Sequence, residues 1–234
     1  NSDTLTVTGL TVTGNATGIT QSGTTLSVNP AAYNSLAASS SEVIAYSYTI
    51  DDGKSGTVAQ TATITITGAN DAPVAVADTN TIDEDGALVI GATSGVLLND
   101  TDVDTGATLT VTAVEGVAGN VGSLVTLASG SIVQINADGS YDFAPVQDQL
   151  AAGQTTQEVI NYTVSDDQGA AVSTTLTITV TGLNDAPIAT ADTNTIDEDG
   201  SLIVGAGTGV LSNDIDIDLD TGATLTVTAV EGVA

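Results

Sequence analysis

Ile160-Asn-Tyr-Thr-Val-Ser-Asp-Asp-Gln-Gly169, followed shortly by Leu176-Thr-Ile-Thr-Val-Thr-Gly-Leu-Asn-Asp-Ala-Pro187, alternates apolar and polar residues with a period of two. Ile160, Tyr162 and Val164, then Leu176, Ile178 and Val180, fall on one face, and Thr supplies much of the other. A strand sends successive side chains to opposite faces, and β-branched residues suit it, so the stretch predicts two strands joined by an acidic turn. The same alternation runs through Tyr46, Tyr48 and Ile50, through Ile64 and Ile66, and through Leu109, Val111 and Ala113. Tyr141 and Phe143 sit two apart behind Asp138-Gly139, a turn signal. Helix signals are weak, limited to Ala31–Ser39 behind Pro30 and to Gln147–Ala152. Short, regularly spaced strands with Gly and Asx turns read as an all-β chain of β-sandwich domains.

The chain also repeats itself. Asn70-Asp-Ala-Pro73 returns as Asn184-Asp-Ala-Pro187, and Ala77-Asp-Thr-Asn-Thr-Ile-Asp-Glu-Asp-Gly86 returns as Ala191–Gly200, both offset by 114 residues. The second copy gains two residues after Asp214, so Thr105–Gly116 reappears as Thr221–Gly232. Tyr46–Gly53 resembles Ile160–Asp167, Thr63–Pro73 resembles Thr177–Pro187, and Leu5–Thr8 resembles Leu109–Thr112. This predicts a partial or short sandwich repeat over 1–69, a complete one over 70–183, and the front part of a further one over 184–234. The ends read as cut points in a longer polypeptide. A partial sandwich exposes its core and strand edges, so each terminal piece is expected to be completed by neighbouring chain, to form a smaller domain, or to be poorly ordered. The two pieces hold roughly complementary halves of one unit.

Charge is the second constraint. Among 234 residues there are 29 acids, one lysine (Lys54), and no arginine or histidine, giving a formal charge of -28. Self-repulsion on that scale opposes a compact state unless cations bind. It excludes nucleic acid and anionic membrane as partners, since Lys54 alone makes no basic patch. A solvated acidic surface would account for the charge but not for its clustering. With 41% apolar residues the chain is not a disordered acidic tail. Its aromatics are few (Tyr33, Tyr46, Tyr48, Tyr141, Phe143 and Tyr162), so the core must be aliphatic. Without cysteine, a stabiliser other than disulfides is expected, and metal is the obvious candidate. No apolar run approaches membrane-spanning length, so no direct membrane insertion is expected, and no targeting segment is visible.

The acids gather where oxygen ligands would be needed. Asn99, Asp100, Asp102 and Asp104 recur as Asn213, Asp214, Asp216, Asp218 and Asp220. Every-other spacing lets carboxylates in an extended segment share one side, and six to eight oxygens at about 2.3–2.6 Å suit Ca²⁺. This is no EF-hand: counting from Asp100, the twelfth residue is Val111 and glycine falls at the seventh. Asp83-Glu84-Asp85 and Asp197-Glu198-Asp199 precede glycines and form either a shared site or a charged turn. Asn70-Asp71 and Asn184-Asp185 lie at the seams between repeats, as ligands or as Asx-turns before proline. Asp51-Asp52 and Asp166-Asp167 follow strands and are further candidates.

Catalysis finds little support. Zinc sites and imidazole-based triads need Cys or His, and neither occurs. Carboxylate pairs could cleave glycosides, but these acids occupy repeated turn positions with few aromatics to line a sugar subsite. Gly116-Val-Ala-Gly119 has no phosphate-loop pattern.

Val164–Gly169 with Leu176–Pro187, and Gly95-Val-Leu-Leu-Asn-Asp-Thr-Asp-Val-Asp104, together resemble the VCBS and cadherin-like tandem repeats of large RTX-type bacterial surface adhesins. The resemblance covers almost the whole chain. It implies tandem Ig-like or cadherin-like sandwiches, Ca²⁺ at domain junctions, type I secretion, an extracellular location and a role as an extender in adhesion or biofilm. It also implies that Asn70, Asp71, Asn184 and Asp185 are junction ligands, completed by the pairs Asp83/Asp85 and Asp100/Asp102. Residues 9–23 depart from the pattern, being shorter and lacking the front acidic motifs. The expected partners are tandem copies of the repeat within a longer chain. Two other readings stay open: a glycan- or protein-binding module, and an extracellular filament subunit whose partial ends are completed between chains as a homo-oligomer.

Overall fold

In the computed structural model the alternating segments are strands, and every described element is a strand, a short 3-10 turn or a loop. Residues 4–146, 150–218 and 224–230 are described; Asp220, parts of the Thr221–Gly232 repeat and the start of the Gln147–Ala152 turn lie outside them. The chain divides into two compact units: Asn1–Val76 with Asn99–Thr112 and Thr163–Thr174, and Ala77–Leu98 with Ala113–Tyr162 and Thr175–Ala234.

In the first unit, β1 (Thr6–Thr13), β2 (Ile19–Ser22), β3 (Thr25–Val28), β4 (Ser41–Asp51) and β5 (Thr57–Thr67) make two antiparallel sheets, ordered β1-β4-β5 and β2-β3. The β4–β5 ladder runs unbroken from Ser41↔Thr67 to Asp51↔Thr57, whereas β1 slips between Thr8 and Thr11. Gly9 sits in that slip with φ +62°, a conformation that favours glycine. Tyr33, Ile44 and Tyr46 form the core with Leu10, Ile19, Leu26 and Ile64. Tyr33 donates its hydroxyl to the Asn15 carbonyl at 2.8 Å, which satisfies the polar end of this buried ring. The helical turn expected behind Pro30 is a single 3-10 turn, Pro30–Tyr33, capped by the Asn29 side chain. It ends at Tyr33, short of the expected Ser39, which takes a left-handed φ of 68°.

The complete repeat is a β-sandwich. Its strands are β6 (Asp78–Asp83), β7 (Leu88–Ile90), β8 (Thr110–Val114), β9 (Val125–Thr126), β10 (Ile132–Ile135), β11 (Tyr141–Ala144), β12 (Thr155–Ser165) and β13 (Ala171–Thr181), in sheets ordered β6-β13-β12-β8 and β7-β11-β10-β9. The Asp138-Gly139 turn joins β10 to β11, with Gly139 at φ +84°. Alternation is read out directly as burial: Ile160, Tyr162, Val164, Leu176, Ile178 and Val180 are all buried, as are Val133, Ile135, Tyr141 and Phe143. Two buried hydroxyls are satisfied. Tyr162 donates to Asp78 Oδ2 at 2.6 Å, and Asn80 donates to the Tyr141 hydroxyl at 2.8 Å. β6 runs parallel to β13, an addition that the alternation does not announce.

Beyond Asn184 the described residues form no strand, only the 3-10 turn Ala206–Thr208 and an Ile188–Ile215 bridge. The physical reason is a missing partner face. Val96 is 0% exposed, while its counterpart Val210 is 58% exposed.

Candidate metal centre

Each seam is built by the same backbone clasp. In the first, Val74 and Thr101 exchange backbone hydrogen bonds at 2.7 and 3.1 Å, bringing Asn70-Asp71 alongside the Asp100–Asp104 loop. Asp104 Oδ2 then accepts from the Asp71 N–H at 2.9 Å, Asp100 Oδ1 from Val76 N–H at 2.8 Å, and Asp102 Oδ1 from Asp104 N–H at 2.8 Å. The second seam repeats this. Ile188 pairs with Ile215, Asp218 Oδ2 accepts from Asp185 N–H at 2.7 Å, Asp214 Oδ1 from Thr190 N–H at 2.8 Å, and Asp216 Oδ1 from Asp218 N–H at 3.0 Å. The every-other spacing of the acids thus serves first to hold loop backbone, with one oxygen of each carboxylate.

The first seam also gathers Asp166, at 6% exposure in the β12–β13 turn. Its Oδ1 accepts from the Gln168 and Ala170 N–H groups, both at 2.9 Å, and its Oδ2 from the Asn70 amide at 2.8 Å. The Asn70 amide, assisted by those backbone donors, holds this carboxyl below the usual aspartate range. Asp167 is exposed and is likewise lowered, by the Gln168 side chain and the Thr108 N–H. Asp52 plays the same turn role 114 residues earlier, accepting from Lys54 and Gly56 N–H, which lower it, while Asp51 accepts from Gly53 N–H at 2.7 Å.

At the second seam Glu84 is fully buried, its two oxygens accepting from Leu150 and Leu183 N–H at 3.0 Å each. Asp218 Oδ1 accepts from Ala152 N–H at 2.5 Å, so both of its oxygens are engaged. A cleft of about 490 Å³ lies here, lined by Asp185, Ala186, Ile188, Ile215, Asp216 and Ile217. The remaining candidates, Asp83, Asp85, Asn99, Asn184, Asp197, Glu198, Asp199 and Asn213, are exposed. Asn184 turns its amide onto the Asp185 carbonyl at 2.7 Å.

Among the described residues, no three Asp or Glu side chains are drawn together closely enough to hold a metal ion. The donor chemistry nevertheless fits a hard cation at the first seam. Asp104 Oδ1 and Asp102 Oδ2 are buried oxygens with no hydrogen-bond partner, while Asp104 holds the Asp71 N–H and the adjoining Asn70 holds Asp166. A buried anionic oxygen without a partner is costly, and a divalent ion is what such an oxygen set accepts. Sequence reading missed Asp78 and Asn80, whose role is to satisfy buried tyrosines. It also missed the backbone donors of Leu150, Ala152 and Leu183, which no side-chain pattern reveals.

Comparison with known proteins places the complete repeat. Residues 70–182 match the family profile of the bacterial cadherin-like domain. No match to a curated protein was found. Among solved structures, protocadherin gamma B7 extracellular cadherin domains 1–4 align at 18% identity and a TM-score of 0.39, covering 84% of this chain and 46% of that one. Drosophila N-cadherin EC1-4 aligns at 12% identity and 0.38, covering 80% and 44%, and human mucin-like protocadherin EC1-2 at 16% and 0.36, covering 74% and 85%. The chain thus spans under half the length of the first two. No helix among the described residues is long and apolar enough to cross a membrane. With the sandwich and its seams in place, residues 70–182, just under half of the chain, are similar to the bacterial cadherin-like domain, in keeping with the all-β sandwich described above.

Proposed function

We propose that this chain is an extender segment of a secreted bacterial surface adhesin or fibre, stiffened by calcium at its seams and supporting cell adhesion and biofilm. The observation that carries the reading is the pair of buried, partnerless oxygens, Asp104 Oδ1 and Asp102 Oδ2, in a chain of charge -28 with one lysine. Asn70, Asp71, Asp102, Asp104 and Asp166 would hold the ion at the first seam, with Asp185, Asp214, Asp216 and Asp218 matching them at the second. Bound there, calcium would supply the positive charge around which the protein's oxygens are held in one shell. The chain's own contribution at the first seam is to pin one oxygen each of Asp100, Asp102 and Asp104 to backbone and so fix the loop that carries the others.

Calorimetric titration tests this. Calcium uptake in the millimolar range or tighter is expected, with a melting temperature that falls on adding EDTA and a scattering profile that becomes that of an articulated chain. Monovalent salt should restore only part of the loss, because screening is diffuse and coordination is not. No uptake, together with melting indifferent to EDTA, would end the proposal.

A further inference from the structure

Asn15-Ala16-Thr17 lies in the connection between β1 and β2, within the segment 9–23 that departs from the repeat. An asparagine two residues before a threonine, with no proline between, is the acceptor pattern for N-linked sugars when it stands on a surface loop. The chain holds two further such tripeptides, Asn99-Asp-Thr101 and Asn161-Tyr-Thr163. In a chain this rich in threonine the pattern alone selects none of them, and the surroundings of each asparagine must.

Asn15 is exposed, yet all but one of its polar groups is held in place. Its backbone N–H donates to Glu42 Oε1 at 2.6 Å, and its carbonyl accepts the Tyr33 hydroxyl at 2.8 Å. Its side-chain Oδ1 accepts from the Thr17 hydroxyl at 2.6 Å and from the Thr17 N–H at 3.2 Å. Gly14, just before it, takes φ +97°, and a Cβ there would run into the Val43 carbonyl, so the chain enters the loop along one path. Only the amide Nδ2 has no hydrogen-bond partner among the described residues. The other two tripeptides lack this arrangement. Asn161 lies inside β12, its Nδ2 donates to Glu115 Oε1 at 3.4 Å, and the Thr163 hydroxyl is paired with Ser173 Oγ at 3.0 Å. Asn99 is exposed, but among the described residues no hydrogen bond joins it to Thr101, whose backbone is taken up by Val74. Its repeat counterpart, Asn213-Asp-Ile215, has no hydroxyl at all.

We propose that Asn15 is the acceptor of an N-linked sugar, delivered by a glycosyltransferase from a donor activated through a diphosphate on a nucleoside or a lipid. Nδ2 attacks the anomeric carbon of the donor. The carbon–nitrogen bond forms as the bond from that carbon to the phosphate oxygen breaks, the diphosphate leaves with the electron pair, and a base of the transferase takes the Nδ2 proton. A carboxamide nitrogen is a poor nucleophile because its lone pair is delocalised into the carbonyl. By donating to Oδ1, the Thr17 hydroxyl draws density onto that oxygen and makes the Nδ2 proton easier to remove. The bonds to Glu42 and Tyr33 hold the residue in one place, so little freedom is lost when the donor arrives. Thr17 is thus a positioning residue for Asn15. The assignment stands apart from the calcium reading, because no proposed metal ligand lies between Gly14 and Gly18.

Lys54 is the sole basic residue of the chain, so a lysine-specific protease parts Asn15 from Asn99 and Asn161 with one cut. The protein taken from the cells that make it is cut in this way and read by mass spectrometry. Added hexose or N-acetylhexosamine mass on the fragment with Asn15, and none on the fragment with Asn99 and Asn161, is the expected result. The folded, unglycosylated chain is then given either uridine diphosphate-glucose with a soluble transferase, or a lipid-diphosphate-linked glycan with a membrane transferase. The arm that labels Asn15 identifies the donor. Thr17→Val keeps the shape but not the hydroxyl, and should slow labelling about tenfold, whereas Thr17→Ser should label like the native chain. Thr17 is exposed, so the circular dichroism spectra of both variants should be unchanged. An Asn15 fragment without added mass from the producing cells, no labelling in either arm, labelling of Asn99 or Asn161 as fast as Asn15, or Thr17→Val labelled like the native chain would each overturn the proposal.

Discussion

Asp104 accepts the backbone N–H of Asp71 at 2.9 Å, and that single bond ties the linker before Pro73 to the acidic loop of the same repeat. Because Asp218 and Asp185 make the same bond 114 residues later, it is part of the repeat's construction. Asp104→Ala leaves the Asp71 donor without its partner at a site where Asp104 is 6% exposed, and should cost about 1–3 kcal/mol. Urea denaturation in EDTA reads this cost free of any metal. Repeating it in calcium should widen the gap between the two proteins, since the same carboxylate is a proposed ligand.

Asp166 offers a pH test. Its carboxyl is lowered chiefly by the Asn70 amide, so the folded state prefers the charged form more than the unfolded chain does. The stabilisation is therefore present above the unfolded aspartate value, near 3.8, and is lost as pH falls through the lower folded value. Titration by NMR in EDTA should place Asp166 below an exposed aspartate, and Asn70→Ala should move it upward. An Asp166 titration unchanged by Asn70→Ala would mean that the seam is not closed by this contact in solution.

How much of this was legible beforehand differs by kind of contact. Alternation at Ile160–Val164 and Leu176–Val180 predicts the strands because burial of one face in two is a local property of sequence. The parallel β6–β13 pairing is not local. Asp78-Thr-Asn-Thr-Ile-Asp83 carries polar residues even at the half-buried positions 78 and 80, for a reason visible only in three dimensions: Asp78 and Asn80 meet Tyr162 and Tyr141. The acid clusters were visible as oxygen-rich loops, but the share of their oxygens taken up by backbone N–H groups was not. Glu84 shows the limit most plainly. It lies between two exposed acids in sequence, yet it is fully buried.

Gly182 follows β13, and a Cβ placed on it would run into the Ala151 carbonyl and the Leu150 side chain. Gly68, its counterpart behind β5, is packed in the same way against the Leu36 and Ala37 carbonyls. The obstacle is backbone rather than a movable side-chain tip, so Gly182→Ala must displace the loop. A loss of about 1–3 kcal/mol is expected, read as a lower melting temperature. Gly119→Ala, where an added methyl meets nothing, is the control and should melt close to the unmodified protein.

Glu84 closes the lower end of the complete repeat with one carboxylate oxygen on Leu150 N–H and the other on Leu183 N–H. Its own N–H joins Thr181, so residue 84 binds the end of β6, the end of β13 and the Leu150 loop at once. Glu84→Ala strips both acceptors and should cost about 1–3 kcal/mol for each buried donor left unsatisfied. Glu84→Gln keeps one acceptor oxygen but sets an amide N–H₂ against the other donor, so it should fall between the alanine variant and the native chain. Hydrogen exchange at the Leu150 and Leu183 amides gives the residue-level reading. Both should exchange faster in Glu84→Ala, while the amides of β10 and β11, remote from the clasp, should slow or quicken only with global stability. Equal acceleration everywhere would make Glu84 an ordinary contributor to the core rather than the clasp that holds this end shut.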